Sequence, residues 1–206
     1  MDSRYGAVVL CGGQSARMGR DKATLPFGPH TLLEHIVGVL HLVVPPRHVV
    51  VVAARDQELP ALGDGSIVVH DRGNGPLTAL VEGLWHLPTG VESAVACGCD
   101  APLLQPAFLR RLLELLTPEV DAVVPADEQR WYPLAAAYSV RSLAGLSTAI
   151  AAGEQSLHRA LGDVHIHTRT VPTSQLRDAD PELLSLINCN TPAEYAAAQR
   201  RAGLAE

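Results

Sequence analysis

The sequence predicts an α/β fold of three layers, with helices on both faces of a mostly parallel sheet. Two observations carry that expectation. Short apolar, strand-like runs alternate with segments whose apolar residues recur at helical spacing. Polar or glycine-rich loops follow several of the runs, and open α/β sheets bind their ligands at the carboxyl ends of strands.

The elements read in order as follows. Residues 7–11 form a short apolar run ended by glycines, a buried strand. Residues 31–43 carry Leu32, Leu33, Ile36, Val37 and Leu40 at helical spacing. Residues 49–54 are β-branched and apolar, as a central strand is, and residues 67–69 are another strand. Residues 76–87 place Leu77, Leu80, Val81 and Leu84 on a helix that tolerates Pro76 at its start. Residues 93–97 and 121–124 are further strands flanking a helix over 106–116. Beyond that the alternation weakens: a strand over 134–140, helices over 141–152 and 155–161, an alternating strand over 164–171, and a final helix over 192–201 opened by Asn190-Thr191-Pro192. His165 and His167 would alternate on the exposed side of that last strand; with no third ligand in view they read as a solvated face.

At 206 residues, with 47% apolar and 18% charged residues, the chain suits one domain (1–206) with a full core. No apolar run approaches the ~20 residues of a membrane span, and the N-terminal stretch lacks a signal-peptide pattern. The expectation is a cytoplasmic protein without a membrane partner. A net charge of −6 opposes a general nucleic-acid binder. Cys11, Cys97, Cys99 and Cys189 are scattered, and Cys97-Gly98-Cys99 is too tight for a usual zinc pair. They read as small core residues in a reducing compartment.

Of sixteen basic residues fifteen are arginine, and the one lysine is Lys22. It closes the most unusual segment of the chain, Leu10-Cys11-Gly12-Gly13-Gln14-Ser15-Ala16-Arg17-Met18-Gly19-Arg20-Asp21-Lys22. Glycines let backbone N–H groups approach an anion, and Arg17, Arg20 and Lys22 add positive charge. A compact ammonium suits phosphate cradling better than a planar fork. The spacing fits neither a P-loop nor the Gly-x-Gly-x-x-Gly turn of dinucleotide-binding folds. Three more loops carry polar signals. Asp71-Arg72-Gly73-Asn74-Gly75-Pro76-Leu77 ends a strand in an aspartate and opens a helix through a glycine turn. In Gly98-Cys99-Asp100-Ala101-Pro102 an aspartate at a strand's carboxyl end suits a hard cation such as Mg2+, which takes one or two carboxylates plus substrate phosphates. Asn188-Cys189-Asn190-Thr191-Pro192 makes a helix start.

Taken with Leu25-Pro26-Phe27-Gly28, the first loop resembles the signature of the small nucleotidyltransferases, and most of all the molybdenum cofactor guanylyltransferases, the MobA family. The other three loops are similar to that family's Asp…Gly-Pro-Leu, Cys-Asp-x-Pro and Asn-x-Asn-Thr-Pro stretches. The resemblance implies a Rossmann-like sheet of the nucleotide-diphospho-sugar transferase type, with a nucleotide-binding part over about 1–125 and an acceptor-binding part over about 126–206. It implies that Leu10, Cys11, Gly12 and Gly13 line the nucleotide, and that Arg17 and Lys22 bind phosphates and act in catalysis. Asp71 would contact the nucleotide, with the Gly75, Pro76 and Leu77 backbone helping to read guanine. Asp100 would bind Mg2+ and act in catalysis, with Asn190, and Asn188 beside it, near the metal and the acceptor. Thr78-Ala79 departs from the usual Ala-Gly, and Val52 replaces a nucleotide-contacting asparagine of some members. The expected reaction transfers GMP from GTP to the terminal phosphate of molybdenum-molybdopterin and releases pyrophosphate. Alternatives are cytidylyl transfer to the same pterin or nucleotidyl transfer to a sugar phosphate. Molybdenum-insertion proteins or molybdoenzyme chaperones are partners the family implies.

Overall fold

A computed structural model describes residues 4–12, 21–63, 65–71 and 75–204. The elements run β1 (Tyr5–Leu10), β2 (Pro26–Phe27), β3 (His30–Thr31), α1 (Leu32–His41), β4 (Val49–Ala53), β5 (Ile67–His70), α2 (Pro76–Trp85), β6 (Ser93–Gly98), α3 (Pro106–Leu115), β7 (Ala122–Ala126), β8 (Ala135–Ser139), α4 (Ser142–Ala151), α5 (Leu157–Leu161), β9 (Thr168–Pro172) and α6 (Pro192–Arg201). A seven-stranded sheet has the order β5-β4-β1-β6-β8-β7-β9. β1 pairs in parallel with β4 and β6, β4 with β5, and β7 with β9, whereas β8 runs antiparallel to both its neighbours.

The period-2 geometry of a strand sorts its residues between two faces. Ala7 and Val9 of β1 pack with Leu33, Ile36, Val37 and Leu40 of α1 and with Phe108, Leu109 and Leu112 of α3. Val8 and Leu10 face the other way, toward Leu77, Leu80 and Leu84 of α2, Leu146 of α4 and Leu157 of α5. The three layers expected from the sequence are therefore present. A third apolar cluster joins α6 to the β2–β3 hairpin through Ala198, Phe27, Leu32, Leu103 and Cys189. Tyr138 of β8 is wholly buried, and its hydroxyl is satisfied by donating to the Pro133 carbonyl at 2.7 Å.

Helix starts follow their capping chemistry. Thr31 and Glu34 form a reciprocal capping box at α1, and Thr191 and Glu194 form one at α6. The structure corrects several sequence boundaries. The strand expected over 164–171 begins only at Thr168. His165 and His167 sit in the loop before it, because Asp163 Oδ1 accepts from the His165 N–H at 2.9 Å and Asp121 Oδ2 from the His167 N–H at 3.0 Å. These carboxylates satisfy N–H groups that a ladder would otherwise need. The helix expected from residue 155 begins at Leu157, since the Glu154 carboxylate takes the N–H groups of Gln155 and Ser156 and leaves Ser156 as the cap. The β2–β3 hairpin was not expected at all.

Two helical glycines differ in what surrounds them. A Cβ on Gly83 of α2 would collide with Val8 Cγ1 and stand 3.0 Å from Val52 Cγ2, so α2 lies close on the sheet only because residue 83 has no side chain. A Cβ on Gly38 of α1 would meet nothing within 4 Å. The same substitution should therefore act with opposite signs in urea unfolding. Gly38→Ala should raise stability by about 0.5–1 kcal/mol through helix propensity. Gly83→Ala should lower it, because overpacking strain of about 1–3 kcal/mol exceeds that gain.

Candidate active site

The chain moves from β1 outward to β4 and β5 and then returns to β6 on the other side of β1. That reversal opens a crevice at the carboxyl ends of β1 and β6, the place where such sheets bind ligands. Backbone hydrogen bonds fix its rim. The Cys11 N–H donates to the Val52 carbonyl at 2.8 Å, Cys99 to Leu10 at 3.0 Å, Asp71 to Ala53 at 2.8 Å, and Cys189 to Asp100 at 2.8 Å. The four loops singled out in the sequence thus meet at one edge of the sheet.

Two cavities lie there. The larger, about 610 Å³, is lined by Leu10, Cys11, Gly12, Lys22, Asp71, Gly75, Pro76, Asp100 and Asn190, together with Ala54, Ala79, Gly98, Cys99 and Leu134. Nine of the expected residues are in this set. Gly13 and Arg17 lie outside the described residues. Leu77 is fully buried in the core beneath α2, so only its backbone can serve a ligand. Asn188 lies apart, in the smaller cavity of about 410 Å³, with Asp127, Arg130, Tyr132, Thr173, Leu183 and Ile187 among its other walls. Asn190 lines both cavities.

Lys22 lines the larger cavity, beside the Asn190 that both cavities share. It is carried on a single 3-10 turn, Lys22–Thr24, whose cap is the Asp21 carboxylate accepting from the Ala23 N–H at 2.9 Å. Its Nζ donates to Asp100 Oδ2 at 3.1 Å and to Asn190 Oδ1 at 2.8 Å. The lysine and aspartate side chains are only 16% and 21% exposed, so the ion pair is shielded from most solvent screening. Gly98 makes room for this arrangement, since a Cβ there would lie 2.5 Å from Asp100 Oδ1. Gly75 holds φ 95°, a backbone region that favours glycine, as it turns the chain into α2. Asn190 is set by Glu194, whose Oε2 accepts from the Asn190 N–H at 2.8 Å. That bond leads the interactions holding the Glu194 carboxyl below the usual range.

Lys22 Nζ marks a point on which two hard oxygen donors converge, one anionic and one neutral. This donor set fits Mg2+, which binds through one or two carboxylates and leaves the remaining positions to phosphates and water.

The loop between β7 and β8 is a structured wall. Asp127 Oδ1 accepts from the N–H groups of Gln129 and Arg130 at 2.8 and 2.9 Å, and the Tyr132 hydroxyl donates to Asp127 Oδ2 at 2.5 Å. The Arg130 guanidinium lies 4.4 Å from the Tyr132 ring centroid. Little in the sequence marks this wall, or Ala54, Ala79 and Leu134, which are apolar residues without a motif.

The site's overall form is that of a nucleotide-handling transferase, and comparison with known proteins gives the family. Residues 7–168 match the model of the MobA-like NTP transferase domain. A Mycobacterium avium protein named "Probable molybdenum cofactor guanylyltransferase" is 39% identical over 201 residues, covering 95% of each chain. A Bacillus mycoides protein of the same name is 32% identical over 206 residues, covering 96% of this chain and 97% of its own. The fold is similar to that of molybdopterin-guanine dinucleotide biosynthesis protein A from Archaeoglobus fulgidus, with a TM-score of 0.78 at 23% identity over 96% of this chain and 98% of that one. It is also similar to 2-C-methyl-D-erythritol 4-phosphate cytidylyltransferase from Thermus thermophilus, with a TM-score of 0.69 at 16% identity over 96% and 98%. The chain belongs to the MobA-like NTP transferase family and is a nucleotidyltransferase.

All four cysteines are free and buried. The Cys99 thiol hydrogen-bonded to Cys11, together with burial, pushes Cys11 well above the ordinary thiol range. Burial does the same to Cys97, and burial with the Asp100 charge pushes Cys189 up to about 11. These three groups are neutral thiols at physiological pH and poor nucleophiles. Iodoacetamide at pH 8 should therefore leave Cys11, Cys97 and Cys189 unmodified in the native protein and label them after denaturation, as read by peptide mass mapping.

Proposed function

We propose that this protein transfers GMP from GTP to the terminal phosphate of molybdenum-molybdopterin, with release of pyrophosphate. The observation that carries the reading is the meeting of Lys22, Asp100 and Asn190 in the larger cavity, with Asn190 also a wall of the smaller one. A group transfer between two bound molecules needs neighbouring spaces with a wall in common, and Asn190 is that wall. The relatives named guanylyltransferases at 39% and 32% identity support the base and the acceptor.

In this reading GTP occupies the larger cavity. Leu10, Cys11 and Gly12 form its floor, with Gly13 continuing the loop. Asp71 holds the nucleoside side, and the Gly75 to Leu77 backbone reads the guanine edge. The acceptor occupies the smaller cavity beside Asn188, with its phosphate toward Asn190. Residues 1–125 supply most of the nucleotide side and residues 126–206 most of the acceptor side, with Leu134 and Asn190 crossing over.

An acceptor phosphate oxygen attacks the α-phosphorus in line. The new P–O bond forms as the bond to the β-phosphate oxygen breaks, and its electron pair leaves with pyrophosphate. No side-chain nucleophile is needed, since such transfers rest on positioning and charge neutralisation. Lys22, with Arg17 from the same loop, offsets charge on the departing pyrophosphate. Asp100 and Asn190 would hold Mg2+, which when bound neutralises phosphate charge and templates the substrate. The slim ammonium of Lys22 can then turn from Asp100 to a phosphate, a re-aiming that a rigid guanidinium fork serves less well.

Pyrophosphate release with Mg2+ and molybdenum-loaded pterin should occur with GTP and not with CTP or ATP. Release with CTP alone would reassign the protein to cytidylyl transfer. Lys22→Ala and Asp100→Asn should each lower kcat by about 10²–10³-fold or more, the scale of losing one charge-stabilising group, while leaving the circular dichroism spectrum unchanged. Asn188→Ala should raise KM for the acceptor and leave GTP affinity intact.

A further inference from the structure

The segment that joins β4 to β5 contains a glutamine whose side chain reaches across to the loop after β1. Gln57 Oε1 accepts from the Ala54 N–H at 3.0 Å. Its Nε2 donates to the Cys11 carbonyl at 3.3 Å and to Asp21 Oδ2 at 2.7 Å. Cys11 and Asp21 are the two flanks of the phosphate loop, and Asp21 caps the turn that carries Lys22. Gln57 is half-buried and does not line the nucleotide cavity.

We propose that Gln57 is a positioning residue for the nucleotide: its carboxamide ties both flanks of the phosphate loop to the end of β4 and, through Asp21, aims Lys22 at Asp100. This rests on the nucleotidyl-transfer reading of the cleft. Three partners make the assignment chemically specific. One acceptor and two donors are required, and a carboxamide supplies that combination. Turned by half a revolution, the amide would place its oxygen against two acceptors and its nitrogen against a donor. A cation at residue 57 could hold Asp21 as well, but it would add a second positive charge beside Lys22 to compete for it. The neutral amide holds Asp21 without removing its charge.

The test compares the wild-type protein with Gln57→Glu and with Gln57→Glu combined with Asp21→Asn, each titrated with GTP and Mg2+ by calorimetry. Gln57→Glu keeps the acceptor for Ala54 but sets a carboxylate oxygen against both Asp21 and the Cys11 carbonyl. It should weaken GTP binding about tenfold or more, the scale of losing a hydrogen bond to a charged group, with cooperative melting retained. The double variant reverses donor and acceptor: the introduced amide keeps its oxygen on Ala23 and turns its nitrogen to the introduced carboxylate. It should bind GTP more tightly than the single variant by the share lost at Asp21, while the bond to the Cys11 carbonyl stays broken in both. Wild-type affinity in Gln57→Glu, or a double variant no better than the single one, would overturn the assignment. Absence of GTP binding in all three proteins, wild type included, would overturn the reading of the cleft and the inference with it.

Discussion

The Lys22 ammonium is shared between Asp100, 78 residues further along the chain, and Asn190, 168 residues further along. Much of the architecture serves to let those three groups meet. β1 and β6 must be neighbours, so that the loops leaving them open side by side. The Cys189 N–H must reach the Asp100 carbonyl, which lays the segment before α6 along the same edge. α6 must start at Thr191, so that Glu194 fixes the backbone of Asn190. A single charge thus closes the chain's long-range connections at the place where the sheet's topology reverses, and the loop entropy of those separations has been met by the sheet and not by the ion pair.

The support behind the site is graded. The parallel strands β1, β4 and β6 beneath it are buried on both faces, which gives a rigid floor. Above it the loops rely on side-chain caps: Asp21 on Ala23, Asp127 on Gln129 and Arg130, and Asp180 on Leu184 and Ser185. Such caps fix a backbone locally without requiring a core. They leave the walls able to differ in shape while the floor keeps its register.

Some of this was legible in the residues. α6 is legible to its observed bounds, because a threonine, a proline and a glutamate three places after the cap are local signals with local causes. β1, β4 and β6 were readable from apolar runs, and Lys22 from its isolation among arginines. Other features were hidden for equally physical reasons. The two-residue strands β2 and β3 are too short to show a period. An Ala-rich run such as β8 carries no mark of its direction, since pairing partners decide it. His165 and His167 alternate in sequence, but the neighbouring Asp163 and the distant Asp121 accept from their backbone N–H groups. Gln57 belongs to no motif, and its importance appears only when Cys11 and Asp21 are placed on either side of it.

The reversed direction of β8 has a consequence for how this scaffold can diverge. Because β7 runs with β6 and β8 runs against both, the β7–β8 connection is a hairpin that turns at the ligand-bearing edge and carries Arg130, Tyr132 and Leu134. A parallel pair would need a crossover helix there, and any change in its length would be felt in the packing of a whole layer. A hairpin turn can lengthen, shorten or change composition between two strands whose own pairing stays fixed. One short stretch of chain can therefore diverge almost independently of the rest, so that descendants of the same gene could reshape this wall while inheriting the floor of the cleft unaltered.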